Sequence, residues 1–384
     1  LGHSITVRYK AMGTAEVSAA RCDVLIVGAG AMGAATAWQL ARRGLDVVIL
    51  EQFARGHERG SSHGTSRIFR LSHAESEYID MARRALSLWR ELENETATSL
   101  LSVVGGVHHG ASRPLTEISE ALAAHGVHSE LLSPAEASQR FTGMRFEGSV
   151  LFQPDEARIN AQQATDTLVE LATGLGAEFN FSQRVEKISL NDDNAVVHSD
   201  SCSYSTKVVV ATCGAWVVPL VGGLVTLPEI EVTEQQPAYF APTDHQANWP
   251  VFVHRFSTRG LPEEFGGFYG MYTPHEGLKV GERRGGPIVN PDLRDGGVDP
   301  EMLARLAEYV SQWFPGVDPT PFASSPCMYT TTKNENFILD RRGPLVIGSP
   351  CSGHGFKFVP EIGRILADLA QGIPQPYARF LLPS

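Results

Sequence analysis

The feature that most restricts the fold of this chain is a glycine-rich turn between a buried strand and a helix. Residues 22–27 (CDVLIV) form an apolar, β-branched run, and Gly28, Gly30 and Gly33 follow it in the pattern GxGxxG. The next residues repeat alanine and leucine with helical spacing, and a second apolar run covers residues 46–50. A strand, a helix and a strand in this order predict a right-handed βαβ unit.

Each glycine of this turn has its own steric reason. Gly28 permits a tight turn, Gly30 lets the backbone approach a pyrophosphate, and Gly33 allows the helix to pack closely on the strand. The helix N-terminus adds amide donors and a positive dipole end. Glu51 ends the second strand, where its carboxylate can accept ribose hydroxyls and would repel a 2′-phosphate. The turn therefore predicts a dinucleotide site that disfavours NADP, and alone it leaves FAD and NAD open.

The rest of the chain contains helical patterns, short strands and a region rich in proline and glycine. Helices are predicted over residues 77–95, 161–174, 300–314 and 360–371, and strands over residues 178–210 and 344–349. Residues 228–291 combine proline, glycine and aromatic residues in short alternating segments, which are typical of an antiparallel layer. We find no linker, so two lobes that exchange segments are expected.

Composition excludes several classes of protein. A chain of 384 residues with 42% hydrophobic residues can bury a large core. A net charge of −11 with scattered basic residues argues against a nucleic-acid partner. No apolar run approaches the roughly 20 residues that span a bilayer, and the start lacks the order of a secretory signal, so a cytoplasmic protein is expected. Residues 1–20 lack periodicity and are expected to be an extension or tag.

The cysteines give no sign of a disulfide framework or a metal site. The five are Cys22, Cys202, Cys213, Cys327 and Cys351. They include no CxxC pair and no histidine at metal-ligand spacing. By itself, each is expected to be a small buried apolar residue.

Five segments, in order along the chain, resemble one family of flavoproteins. They are GSSHGTSRIFR (60–70), ATCGAW (211–216), GLKVG (277–281), CMYT (327–330) and SGHGFKF (352–358). Together they resemble the monomeric sarcosine oxidase and N-methyltryptophan oxidase family, which are FAD-dependent amine oxidases of the D-amino-acid oxidase superfamily. The resemblance implies an α/β fold in which a Rossmann-like FAD-binding domain is interleaved with a mainly antiparallel-sheet substrate domain.

The resemblance also implies how the chain divides into these domains. The FAD-binding domain is expected to comprise residues 21–105, 155–222 and 335–384. The substrate domain is expected to comprise residues 106–154 and 223–334. A monomer is expected.

The resemblance assigns cofactor contacts. It implies covalent attachment of the FAD 8α-methyl group to Cys327, because a thiolate can attack the methide tautomer of the flavin. It places His63 and Arg67 beneath the isoalloxazine ring, where positive charge stabilises reduced flavin. The implied cofactor contacts are Gly28, Gly30, Ala31, Met32, Gly33, Glu51, Gln52, Ser62, His63, Gly64, Thr65, Arg67, Val185, Gly214, Trp216, Cys327, Met328, Gly353, His354, Gly355, Phe356 and Lys357.

The resemblance likewise assigns substrate contacts. Arg70 and Lys357 match the residues that grip the substrate carboxylate, a geometry that selects amino acids over plain amines. Lys279 matches the lysine that promotes the reaction of reduced flavin with oxygen. Tyr78 and Tyr329 match residues that line the site. The implied catalytic residues are Lys279, Arg67, His63, Arg70 and Lys357.

Two positions depart from the sarcosine oxidase pattern. Counting eleven residues back from Lys279 reaches Phe268, where these enzymes have a tyrosine, and four residues after it comes Arg283, where they have a histidine. The pocket is therefore expected to have lost a hydroxyl and an imidazole. If Arg283 faces inward it adds a fixed cation, which favours an acidic or larger substrate. Both positions count among the expected substrate contacts and move the substrate away from sarcosine.

The expected reaction is hydride transfer from a carbon beside a secondary amine to flavin N5, followed by imine hydrolysis and reduction of oxygen to hydrogen peroxide. The substrate is an N-methyl or cyclic amino acid. The alternatives are an FAD dehydrogenase or demethylase with another electron acceptor, a deglycating oxidase of glycated amino acids, an NAD-dependent dehydrogenase, and a non-catalytic flavin-binding protein.

Overall fold

The computed structural model describes residues 20–110, 112–245, 247–256 and 266–383. The expected extension, residues 1–20, lies outside the described residues apart from Ala20, where the first strand begins. The helices of the described segments are α1 (Ala31–Ala41), α2 (Ser76–Thr96), α3 (Ser112–Ala124), α4 (Pro134–Arg140), α5 (Ala161–Gly174), α6 (Val217–Val221), α7 (Pro300–Trp313) and α8 (Val359–Ala370).

The strands of the described segments belong to four sheets. They are β1 (Ala20–Val27), β2 (Val47–Leu50), β3 (Ser66–Phe69), β4 (Leu101–Val103), β5 (Gly106–Gly110), β6 (Glu130–Leu132), β7 (Val150–Gln153), β8 (Ala157–Asn160), β9 (Glu178–Asn180), β10 (Val185–Leu190), β11 (Ala195–Ser199), β12 (Ser203–Ala211), β13 (Ile230–Gln235), β14 (Ala238–Pro242), β15 (Val251–Arg255), β16 (Phe268–Thr273), β17 (Gly277–Glu282), β18 (Val317–Ser324), β19 (Cys327–Thr332), β20 (Ile338–Arg342) and β21 (Leu345–Ser349).

A parallel sheet forms the centre of the first lobe, which we call the dinucleotide lobe. Strands β9, β2, β1, β12 and β21 run parallel, and β10, β11 and β20 add antiparallel strands. Helix α1 packs against α5 and α8 over one face of the sheet. The β1–α1–β2 order confirms the predicted βαβ unit, and β2 is buried on both faces, as an all-apolar run requires.

An antiparallel sheet forms the second lobe, which we call the antiparallel lobe. Its order is β18-β14-β17-β16-β15-β5-β7-β6, and every neighbouring pair is antiparallel except β15 and β5. Helix α7 packs beside β17 and β18. Phe268 of β16 stacks on Tyr309 of α7 with ring centroids 4.0 Å apart, and Phe252 lies 5.0 Å from Phe314. This architecture matches the predicted fold class, α/β with a mainly antiparallel second domain.

The predicted helices match α2, α5, α7 and α8 to within two residues at each end. The elements between residues 97 and 160 had no clear sequence signal. Strand β5 reads GVHHG, which lacks apolar alternation, yet it is buried because β7 and β15 flank it. The expected domain boundaries stay a proposal.

Helix α1 begins so close to β1 that a side chain is excluded there. A Cβ at Gly33 would lie 1.9 Å from the Gly28 carbonyl oxygen. Gly28 itself has a φ of 100°, and its Cβ would lie 2.6 Å from the Thr212 carbonyl oxygen. The steric roles predicted for both glycines therefore match the backbone geometry.

We expect Gly33→Ala to lower the free energy of unfolding by about 1–3 kcal/mol, because the added methyl must displace backbone rather than a flexible side chain. Gly174→Ala in α5 is the matched control, since a Cβ there meets nothing within 4 Å. That variant should be neutral or more stable by up to about 1 kcal/mol. Urea unfolding monitored by circular dichroism measures both, and equal midpoints for the two variants would contradict the packing argument.

Candidate active site

A cavity of about 810 Å³ runs between the two lobes. The turn between β1 and α1 lines one end. Strands β16 and β17 of the antiparallel lobe line the other end, together with β19, which pairs with β13, and the loop that precedes α8. One continuous space thus joins the glycine-rich turn to the cations that the sequence singled out.

The first end of the cavity has the donors and acceptors that an adenosine diphosphate needs. The Ala31 amide at the start of α1 donates to Ser62 Oγ at 3.0 Å. The two carboxylate oxygens of Glu51 accept from the amides of Ala29 (2.9 Å) and Phe53 (3.0 Å). Each oxygen keeps a lone pair for a ribose hydroxyl. This end therefore fits a dinucleotide, with Glu51 held in place by the backbone.

Most of the predicted cofactor contacts line this cavity. They are Gly28, Gly30, Ala31, Met32, Glu51, Gln52, Ser62, His63, Arg67, Val185, Gly214, Trp216, Cys327, Gly353, His354, Gly355, Phe356 and Lys357. Four predicted contacts are not themselves lining residues. Gly33 packs against the Gly28 backbone, Gly64 lies beside the side chains of Arg67 and Lys279, the Thr65 hydroxyl donates to Glu276 at 2.6 Å, and Met328 is fully buried against Trp216. The cofactor contacts of Thr65 and Met328 stay a prediction.

Two cations meet around Gly64 in the middle of the cavity. A Cβ at Gly64 would lie 3.4 Å from Arg67 Nη1 and 3.9 Å from Lys279 Nζ, and the φ of Gly64 is 90°. Arg67 donates to the carbonyl oxygens of Ser61 (3.0 Å) and His63 (2.6 Å), which fixes its guanidinium. Burial, assisted by Arg67, lowers the pKa of Lys279 to about 7. An anion placed here would restore the full charge of the lysine.

His63 strengthens the case for a bound group at this point. It is buried, and neither of its ring nitrogens has a hydrogen-bond partner among the described residues. Burial, followed by repulsion from Arg67, lowers its pKa to about 4. A neutral imidazole beside two cations suits a polar ring system that accumulates negative charge. These residues fit an isoalloxazine ring.

Cys327 begins β19 and faces the same cavity. Its side chain is buried, which raises the pKa of the thiol, while Arg67 and then Lys279 act in the opposite direction. The hydroxyl of Tyr329, two residues later, lies 2.8 Å from the hydroxyl of Tyr269. Both tyrosines line the cavity. The thiol therefore lies within the field of the two cations.

Arg70 and Lys357 lie together in the buried end of the cavity. Arg70 donates to the Ser72 carbonyl oxygen and Lys357 to that of His354. Burial, followed by repulsion from Arg283, lowers the pKa of Arg70 to about 10. Burial and then Arg70 lower the pKa of Lys357 well below its usual range. Two desolvated cations that repel each other form a site for an anion.

Glu156 binds the backbone that follows Arg70, and the sequence analysis did not identify it. Its carboxylate is buried, accepts from the amides of Leu71 (3.2 Å) and Ser72 (3.1 Å), and lies 2.8 Å from His108 Nε2. Burial raises the carboxyl pKa, but His108, followed by Ser72 and Arg70, holds it below its usual value. Nothing in QPDEARI marks this role, because the partners are distant in sequence.

The structure corrects the prediction for Phe268. This side chain lies on the outer face of β16 and stacks on Tyr309, so it does not line the cavity. In the β16–β17 pairing, Met271 lies opposite Lys279, and alternation puts Tyr269 on the same inner face. Counting along the chain missed Tyr269 by one residue, because it assumed a fixed turn length. The expected loss of a hydroxyl is therefore wrong.

The other predicted substrate contacts divide in two. Arg283 and Tyr329 line the cavity, whereas Tyr78 does not. Tyr78 is buried behind His354, with ring centroids 5.1 Å apart, and its hydroxyl donates to the Glu335 carbonyl oxygen at 3.4 Å. The structure therefore places Tyr78 behind the cavity wall, and not at the position predicted for a substrate contact. Arg283 does face inward, which the sequence left open.

Two further residues at this end had no clear sequence signal. Arg255, on β15, is buried, with Nη1 3.4 Å from His108 Nδ1. Glu335 pairs with Arg283 (3.6 Å) and with Arg284 (2.9 Å). Within the described residues, no set of three Cys, His or carboxylate side chains is placed to hold a metal ion. None of their helices has the length and apolar character of a membrane span.

Comparison with known proteins gives a match along almost the whole chain. A family model described as DAO, FAD dependent oxidoreductase, matches residues 23–369. Monomeric sarcosine oxidase from Bacillus sp. (strain NS-129) is 30% identical over 364 residues, which cover 91% of this chain and 92% of that enzyme. Peroxisomal sarcosine oxidase from Homo sapiens is 31% identical over 375 residues, which cover 92% of this chain and 93% of that enzyme.

Solved structures extend the likeness to both lobes. NikD, described as an unusual amino acid oxidase essential for nikkomycin biosynthesis, matches in its open form with a TM-score of 0.82 and 26% identity. The match covers 94% of this chain and 97% of NikD. The likeness therefore includes the strands that line the cavity in both lobes.

Proposed function

Because the chain belongs to the DAO family of FAD-dependent oxidoreductases, we propose that it oxidises an amino acid that contains a secondary amine. The resemblance seen in the sequence is confirmed, and with it FAD as the cofactor in place of NAD. We further propose a covalent link between FAD and Cys327, and oxygen as the electron acceptor. In the proposed overall reaction, an N-methyl amino acid, water and oxygen give the demethylated amino acid, formaldehyde and hydrogen peroxide. A cyclic amino acid gives instead a single open-chain product that carries both the amine and the carbonyl group, together with hydrogen peroxide.

The observation that carries this proposal is the buried pair Arg70 and Lys357 in the same cavity as Arg67 and Lys279. The first pair can hold a carboxylate, because a guanidinium and an ammonium give directional, charge-assisted hydrogen bonds. When bound, FAD supplies an acceptor for a hydride. The second pair lies where negative charge on that acceptor is stabilised. One site thus combines recognition of an amino acid with support for its two-electron oxidation.

The residues of the chain have separate proposed tasks. Arg70 and Lys357 orient the substrate, and Glu156 positions Arg70 by binding the amides that follow it. His63 and Arg67 tune the cofactor. Burial of the pair that holds the carboxylate excludes water, which strengthens these interactions. No side chain of the protein needs to attack the substrate.

The amino-acid specificity can be tested by anaerobic titration with a panel of N-methyl and cyclic amino acids and their decarboxylated amines. We expect bleaching of the flavin absorbance by carboxylate-bearing amines only. Arg70→Gln should raise the dissociation constant by about 10- to 150-fold, since a charged hydrogen bond contributes about 1.5–3 kcal/mol. Arg140→Gln, on the surface of α4, is the matched control.

Bleaching by the decarboxylated amines, or by nothing in the panel, would refute the proposed substrate class. Bleaching followed by slow recovery in air but rapid transfer to a dye would instead favour the dehydrogenase alternative. If the panel is extended to glycated amino acids and these alone bleach the flavin, the deglycating alternative is favoured.

Lys279 supports the use of oxygen as the electron acceptor. A fixed cation stabilises the negative charge of a superoxide-like transition state. We expect Lys279→Met to slow reoxidation of the reduced enzyme by about 100-fold and to change anaerobic reduction far less. Lys207→Met, at an exposed lysine paired with Asp23, is the control. Stopped-flow mixing with oxygen measures the rate, and an unchanged rate would remove Lys279 from this role.

Cys327 is the proposed attachment point for FAD. A thioether to the 8α-methyl group replaces the thiol hydrogen and one methyl hydrogen, and the two electrons released pass to oxygen. We expect the yellow colour to stay with acid-precipitated wild-type protein and to enter the supernatant with Cys327→Ser. Cys202→Ser, a half-buried cysteine outside the cavity, should behave as wild type. Colour that leaves the wild-type pellet would disprove the link.

A further inference from the structure

Cations outnumber carboxylates at the substrate end of the cavity. Besides Arg67 and Lys279, the described residues that line this end include the basic side chains of Arg70, Arg283, Arg284 and Lys357 against one carboxylate, Glu335. Arg255 lies buried just behind them. A cofactor anion and a single substrate carboxylate leave this group with surplus positive charge.

The nearby carboxylates are already committed. Glu335 is shared by Arg283 and Arg284, and its pair with Arg283 is long, at 3.6 Å. Glu156 is taken up by two backbone amides and His108. Arg255 contacts the His108 ring rather than a carboxylate. Glu75, which also acts on Arg70 and Arg255, pairs with Arg379 at 3.7 Å. Once Arg70 and Lys357 hold one carboxylate, Arg283 still has only a share of Glu335 among the described residues, and Arg255 makes no ion pair within 4 Å there.

Arg283 is held rigidly at the edge of the cavity. Its backbone amide donates to the Gly267 carbonyl oxygen at 2.9 Å, which continues the β16–β17 pairing one residue beyond Phe268 and Glu282. Its side chain is 20% exposed, so it lies between the buried pair and the solvent. Arg255 follows Val253 by two residues on β15 and so shares the inner face of the sheet with this cavity-lining residue.

We propose that the substrate is a secondary amine with two carboxylates, and that Arg283, supported by Arg255, binds the second one. The proposal rests on the function proposed above and narrows its substrate class. Arg70 and Lys357 hold the carboxylate next to the oxidised amine. The second carboxylate lies toward the open side of the cavity and joins Glu335 in neutralising Arg283.

Mutual repulsion among the cations agrees with this assignment. Burial, followed by Arg283 and Arg70, lowers the pKa of Arg255 well below its usual range. Arg283 acts in the same direction on Arg70 and Lys357. A second anion next to Arg283 relieves this repulsion, whereas a neutral side chain leaves it in place. Discrimination between an acid and its amide is therefore the property to measure.

The test is equilibrium binding of thioethers that cannot be oxidised as amines. The probes are (methylthio)acetate and three (carboxymethylthio) acids with the second carboxylate one, two or three methylenes from sulfur, each beside its distal amide. Perturbation of the flavin absorbance of the holoenzyme gives the dissociation constants. We expect at least one diacid to bind about tenfold or more tightly than its amide, as a charged hydrogen bond implies.

Variants assign the preference to Arg283. Arg283→Gln should remove the preference for the diacid and change the binding of (methylthio)acetate by less than about threefold. Arg283→Lys should retain part of the preference, and Arg140→Gln all of it. If Arg283→Gln fails to bind flavin, the acid and amide pairs on the wild-type enzyme still decide the question.

Diacids that bind no more tightly than their amides would overturn the second subsite. The same result leaves the proposed function standing if monocarboxylate amines still bleach the flavin. A preference for diacids that persists in Arg283→Gln would also overturn the assignment. A panel in which no amine bleaches the flavin defeats the proposed function, while the thioether data still report on the subsite.

Discussion

Burial of positive charge within one cavity is the constraint on which the rest of this structure depends. Arg67, Arg70, Lys279 and Lys357 line a space between two lobes, where a lone cation is costly. Hydrogen bonds to backbone carbonyl groups offset part of this desolvation cost. Arg67, for example, donates to the carbonyl oxygens of Ser61 and His63. The loop before β3 therefore has a conformation that presents these carbonyl oxygens to the Arg67 guanidinium. A bound anion offsets the part of the desolvation cost that the carbonyl groups do not. The folded cavity therefore favours the binding of anions.

Local sequence patterns predicted the dinucleotide half of the molecule well. The spacing of Gly28 and Gly33 reports a contact between one helix and one strand, and such local geometry is visible in a short window. The site at the other end is different. Arg255, Glu156 and Glu335 come from three separate segments, and their meeting follows from how the sheets pair. No pattern along the chain contains that information.

The interpretation of Phe268 shows where motif counting loses accuracy. A strand alternates its side chains between two faces, so an error of one residue exchanges the inside and the outside. The hairpin from β16 to β17 brings Met271 opposite Lys279, and this register gives the inner position to Tyr269. The alternation in GFYGMY contained the right answer, but only together with the length of the turn. The sequence alone does not give the strand pairing, so the length of this turn stayed undetermined.

The exchange of segments between the lobes governs when the site comes into existence. Gly28 and Lys357 line the same cavity from opposite ends of the chain, with β15, β17 and β19 between them. A growing chain on the ribosome therefore has its glycine-rich turn, His63 and Arg67 long before it has Lys279, Cys327 and Lys357 of the same cavity. The cavity is therefore complete only once almost the whole chain has been made, and a product truncated before Lys357 lacks part of the cavity wall.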